Sequence, residues 1–130
     1  MLTVEKELIL PPGATAPREA RAFIAGRLVK QGHAAKVSDA KVITSELVTN
    51  AVRASDRLEI PCEIIVCLHD IYPGRPCIEV WDHSPEVPTY TGASDRYAEA
   101  GRGLAIVRGL ALSVDWCLTS HGKCVWAVLK

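Results

Sequence analysis

Three short blocks hold the residues best suited to chemistry. Ser45-Glu46-Leu47-Val48-Thr49-Asn50-Ala51 places a carboxylate four residues before an amide. On a helix that spacing sets both on one side, one turn apart. Val80-Trp81-Asp82-His83-Ser84-Pro85 closes an apolar alternating run with a carboxylate. Gly101-Arg102-Gly103-Leu104-Ala105-Ile106-Val107 sets glycines ahead of an apolar helical segment. Glycine lets backbone approach a phosphate closely, and a helix start attracts an anion. Arg102 can touch a phosphate. Each block is weak alone. In this order they supply the parts of a site for a magnesium-nucleotide.

The elements that position these blocks follow from periodicity. Val4 to Leu10 reads as a strand, stopped by Pro11-Pro12-Gly13. Pro17 suits the first turn of a helix on which Ala20, Phe23, Ile24 and Leu28 recur, with Gly32 as its stop. Ser38 is placed to cap a second helix running to about Ser55. On it Ala40, Ile43, Leu47, Ala51 and Ala54 form one apolar face, and Glu46, Asn50 and Arg53 a stripe beside that face. Cys62 to His69 and Cys77 to Asp82 read as strands joined by Tyr72-Pro73-Gly74-Arg75. Period two puts Asp82 on the side of Ile78 and Val80. A carboxylate on the core side needs a partner, because burying it alone is costly. Residues 83–101 form a long loop rich in proline and glycine. A helix over Leu104 to Leu112 follows, then a hairpin of Val114-Trp116-Leu118 and Val125-Ala127-Leu129, turning at His121-Gly122. This order predicts a two-layer α/β (α+β) sandwich, a mixed sheet with helices on one face.

Composition narrows the setting. At 130 residues one domain over 1–130 is the simplest organisation. Fifteen basic residues balance 15 acidic ones, which argues against nucleic acid or an anionic membrane as main partner. No apolar run approaches the roughly 20 residues of a membrane span. The N-terminus lacks a signal-peptide pattern, so a cytoplasmic protein is expected. Cys62, Cys67, Cys77, Cys117 and Cys124 include no C-x-x-C pair and read as buried, reduced thiols.

The three blocks, their order and the closing Gly122-Lys123-Cys124-Val125-Trp126 resemble the GHKL superfamily of ATP-binding domains. The branch most similar is that of the anti-sigma-factor serine kinases, short ATP-binding regulators. The resemblance spans nearly the whole chain. It implies a Bergerat-type fold, ATP and Mg²⁺ as cofactors, and transfer of phosphate to a serine of a small antagonist (anti-anti-sigma) protein. It also implies binding of a sigma factor and a homodimer. Glu46 matches the family's general base, Asn50 its Mg²⁺ ligand, and Asp82 the acceptor for the adenine amino group. Gly101, Arg102, Gly103 and Leu104 match the glycine box, and residues 86–100 the ATP lid. Arg53 and Ser84 fall beside matched positions. Ser84 stands where the superfamily usually has glycine, a change common in this branch. Cys124 stands where threonine or serine usually lies near adenine, which is expected to lower adenine affinity. The phospho-acceptor pattern of sensor histidine kinases, His-(Glu/Asp)-x-x-x-Pro, is absent. A non-catalytic, nucleotide-dependent protein-binding switch stays open as the alternative. A pocketless adaptor fits less well, because Glu46, Asn50 and Asp82 are all retained.

Overall fold

The computed structural model describes residues 7–88 and 99–130, with the side chains of 99–103 outside the description. The chain runs β1 (Leu8–Leu10), α1 (Ala16–Lys30), a 3₁₀ turn (Ala34–Lys36), α2 (Val37–Asp56), β2 (Ile64–Tyr72), β3 (Arg75–Asp82), α3 (Glu99–Leu110), β4 (Ala111–Thr119) and β5 (Gly122–Leu129). The strands form one five-stranded sheet in the order β1-β2-β3-β5-β4. Every neighbouring pair is antiparallel, so the sheet is not mixed as expected. Connectivity explains this. Two helices between β1 and β2 bring the chain back to the end it left. The α3 crossover makes β4 run parallel to β3, but β5 lies between them and opposes both.

The helices cover one face. α2 lies in the middle, touching α1 and α3 on its flanks and β2, β3 and β5 beneath. Its apolar stripe Ala40, Ile43, Leu47, Ala51 and Ala54 is buried, and so is Val48. Ile64, Val66, Leu68, Ile78 and Val80 meet it from the sheet. α1 contributes Ala16, Ala20, Ile24 and Leu28. It ends at Gly32, whose φ of +82° suits a residue without Cβ. There the His33 N–H donates to the Leu28 carbonyl (2.8 Å) and the Gly32 N–H to that of Val29 (3.1 Å), a Schellman closure.

Three expectations shift. Ser38 caps nothing: the 3₁₀ turn feeds α2 directly, with Lys36 at the N-cap and Ser38 already in the first turn. The third helix begins at Glu99 and ends at Leu110, so Gly101 and Gly103 lie within it rather than ahead of it. The last hairpin turns at Ser120-His121, with Gly122 already opposite Thr119. Of the expected lid, residues 89–98 lie outside the described residues.

Among the described residues no helix covers the other face of the sheet. Cys67, Cys77, Cys124 and Val128 are buried there among their neighbours, while Cys117 is exposed, contrary to its reading as a buried thiol. Glu79 takes Trp81 Nε1 at 3.3 Å and pairs with His69 Nε2 at 3.6 Å on this face.

Candidate functional site

A cleft of about 590 Å³, open solvent at its mouth included, lies between α2, the ends of β3 and β5, and α3. Leu47, Asn50, Ala51, Ala54 and Arg57 line it from α2 and its C-terminus, Val80 and Asp82 from β3, and Lys123 and Val125 from β5. Leu104 closes one side, and Glu86, Val87 and Pro88 the mouth. The walls are apolar and the polar atoms few, as in most small-molecule sites.

At one end the sheet holds a buried ion pair. Asp82 is 6% exposed and Lys123 5%. They face each other across β3 and β5 in direct register. Lys123 Nζ donates to Asp82 Oδ1 at 3.0 Å and, more weakly, to the Ser84 carbonyl at 3.4 Å. The Ser84 N–H donates to the same Oδ1 at 2.8 Å. Burial pushes the Asp82 carboxyl up from the ordinary carboxylate range; Lys123, the Ser84 N–H and His83 pull it part of the way back. A carboxylate this enclosed is held only by such partners.

Gly122 makes the close register possible. A Cβ there would lie 2.0 Å from the Asp82 carbonyl oxygen and 2.6 Å from His83 Cα, both backbone atoms. No side chain fits, so β5 can press against the end of β3 and bring Lys123 to Asp82.

At the other end α2 presents Asn50. Its Oδ1 is buried and has no hydrogen-bond partner among the described residues. An orphaned amide oxygen on a cleft wall is costly unless a donor or a cation completes it. A divalent ion that keeps waters and phosphate oxygens as its other ligands would suit a single amide oxygen of this kind.

Of the residues singled out from the sequence, Asn50, Asp82 and Leu104 come together around the cleft. Glu46 sits half-buried one turn earlier on α2 and outside the lining, and Arg53 is exposed. Ser84 is 1% exposed and outside the cleft lining; its Oγ accepts the Glu86 N–H at 3.2 Å and shapes the turn after Asp82. Cys124 is a correction. It opposes Trp81 in register, on the helix-free face, so it cannot touch a ligand in the cleft. Alternation along β5 turns Lys123 and Val125 inward instead. For Gly101 and Gly103 the backbone is helical, and the Arg102 side chain lies outside the described atoms.

Lys123 and Arg57 were not singled out. The signal for Lys123 was available: it shares the period-two phase of Val125, Ala127 and Leu129, and a core-side lysine calls for a carboxylate. Arg57 forks onto Glu86 (2.9, 3.0 and 2.7 Å) at the mouth. That pair holds the Arg57 guanidinium above its usual value and the Glu86 carboxyl below its own. Nothing local in sequence joins those two.

Comparison with known proteins agrees with this architecture. The family model "Histidine kinase-like ATPase domain" matches residues 11–129. Among solved structures, the histidine kinase domain of the blue-light activated histidine kinase from Erythrobacter litoralis EL346 superposes with a TM-score of 0.54 at 16% identity. The match covers 99% of this chain and 64% of that one, and at this identity it speaks for the fold alone. No curated protein matches the sequence.

Proposed function

The chain belongs to the histidine kinase-like ATPase domain family, and from that membership we propose that its cleft binds ATP with Mg²⁺ and that it regulates a partner protein through that site. The observation that carries the proposal is the pairing of two buried polar groups across one apolar cleft. Asp82 is an acceptor at the sheet end, and Asn50 Oδ1 on α2 an acceptor with no partner among the described residues.

In this reading Asp82 accepts from the base, and the apolar walls, Val80, Val125, Leu47 and Leu104, hold its ring. Asn50 Oδ1 ligates Mg²⁺, which neutralises charge on the phosphate oxygens when bound. The sequence resemblance favours an anti-sigma-factor serine kinase, acting on a small antagonist protein and binding a sigma factor. A serine oxygen would attack the terminal phosphorus, its proton passing to Glu46 and ADP leaving. That role asks only for hydrogen-bond reach and a suitable pKa.

One observation favours the switch reading: Glu46 lies outside the cleft lining. The two readings separate cleanly. Labelled ATP, Mg²⁺ and candidate antagonists are incubated with wild type and with Glu46→Ala. The kinase reading expects phosphoserine from wild type, reduced by roughly two to four orders of magnitude in Glu46→Ala with ATP binding retained. ATP binding and partner capture without phosphoserine would favour the switch. No ATP binding at all would sink both.

A further inference from the structure

A lone carboxylate discriminates sharply between purines. It only accepts hydrogen bonds, so it welcomes the exocyclic amine of adenine. A 6-oxopurine presents a carbonyl oxygen at that place, and two acceptors face to face repel. A carboxylate set opposite position 6 would therefore reject guanine and hypoxanthine in that pose.

Asp82 is not alone. Lys123 reaches it from the adjoining strand at 3.0 Å, and both side chains are more than nine-tenths buried at the edge of the cleft. An ammonium carries three N–H donors. Two are directed at Asp82 Oδ1 and the Ser84 carbonyl, leaving one beyond these bonds. The Lys123 and Ser84 bonds both converge on Asp82 Oδ1, so Oδ2 takes part in neither. The cleft thus offers a donor beside an acceptor. The direct β3–β5 register and the close approach at Gly122 fix their separation before any ligand arrives.

That arrangement complements the edge of a 6-oxopurine. O6 takes the Lys123 donor, and N1–H gives to Asp82. Guanine adds its N2–H beside N1–H on the same carboxylate. Arginine or lysine to guanine O6 and N7 is the commonest specific contact by which proteins read guanine in the DNA major groove. Adenine needs the two groups in the reverse order, N6–H to Asp82 and N1 to the ammonium, and finds its match with the base turned over. The geometry points to Lys123 as a specificity-determining residue that admits 6-oxopurine nucleotides to the cleft alongside adenine nucleotides. This inference rests on the nucleotide-site reading above.

The test is calorimetric binding of ATP, GTP and ITP, each with Mg²⁺, to the wild-type chain and to Lys123→Thr at pH 8. Threonine removes the ammonium donor and keeps a polar, β-compatible side chain on the strand. The expected result is GTP and ITP within about tenfold of ATP for wild type, the ratio widening by roughly 10- to 100-fold against the 6-oxopurines in Lys123→Thr. ITP against GTP isolates the N2 amino group. ATP binding with GTP and ITP more than about 100-fold weaker in wild type would overturn the inference and leave the ATP reading standing. An unchanged ratio in Lys123→Thr would also overturn it. Absence of binding by all three nucleotides would overturn the nucleotide reading itself. If Lys123→Thr does not fold, the wild-type ratios decide alone.

Discussion

The two ends of the cleft are built on different terms. At the sheet end the polar groups are tied to one another: Asp82 Oδ1 accepts from Lys123 and from the Ser84 N–H, and Lys123 also donates to the Ser84 carbonyl. At the helix end Asn50 presents an oxygen that nothing among the described residues answers. The first end is part of what holds the sheet together. The second carries a cost that only a ligand would remove. Affinity and stability are therefore expected to separate along the cleft: changes at the sheet end should cost stability as well as binding, and changes at the helix end binding alone.

The largest test of that contrast is Gly122→Ala. Its Cβ would drive into the Asp82 carbonyl, with no flexible side chain to yield. Loss of more than about 4 kcal/mol of stability is expected, read by denaturant unfolding. A small loss would mean that the β3–β5 register is softer than its geometry implies.

Lys123→Met comes next. It leaves Asp82 buried without its cation, and should cost about 3 kcal/mol at pH 8. The pH dependence has a definite sign. Burial raises the folded-state pKa of Asp82. A raised carboxyl favours folding below its unfolded pKa and loses that contribution as pH climbs through the folded value. Removing Lys123 takes away the group that pulls this pKa down. The variant's deficit should therefore shrink as pH is lowered towards 4, tracked by melting at a series of pH values. A deficit independent of pH would show that the lysine acts by packing alone.

Asn50→Ala sharpens the contrast from the other side. Stability should change by less than about 1 kcal/mol, since the lost oxygen had no partner. Affinity for ATP with Mg²⁺ should fall by about 2 kcal/mol, while affinity for ATP in EDTA changes little. Calorimetry under both conditions, beside a melting curve, checks this. A large stability loss with unchanged affinity would place Asn50 in the scaffold.

The smallest effect belongs to the mouth. Arg57 and Glu86 form a bidentate pair, but their side chains are 55% and 47% exposed. Solvent screens such a pair, so Glu86→Gln should cost less than about 1 kcal/mol in stability. Chemical denaturation with and without 0.5 M salt, roughly the range in which screening bites, would reveal a larger contribution.

What was legible in the sequence is what periodicity controls. The buried stripe of α2, the inward phase of Ile78, Val80 and Asp82, and the Gly32 stop all follow from residues a few positions apart. The element order, and with it the sandwich, follows as well. What was missed depends on pairing at a distance. Lys123 meets Asp82 only because β5 inserts between β3 and β4. The same insertion makes this part of the sheet antiparallel, whereas Cys124 faces away because it alternates with Lys123 and Val125, a phase already present in the sequence. Ser38 was misjudged because a 3₁₀ turn had already carried the chain into the helix. The apolar run placed the start of the third helix at Leu104, yet α3 begins at Glu99 and takes in Gly101 and Gly103 despite glycine's poor helix propensity.

The seam between β3 and β5 has a consequence for how the molecule is assembled. Each of the two hairpins closes through its own short turn, Pro73-Gly74 in one and Ser120-His121 in the other. Such local pairs form early, on the order of microseconds, because little chain entropy opposes them. Asp82 and Lys123 are 41 residues apart, one on each hairpin. They meet only when the hairpins dock, in the slower step that fixes long-range order. A partly folded chain with both hairpins intact has half of the ion pair on each and no cleft between them. Recognition of a ligand is thus acquired in one event, late in folding, and whatever pries the hairpins apart abolishes it without touching a single residue of either.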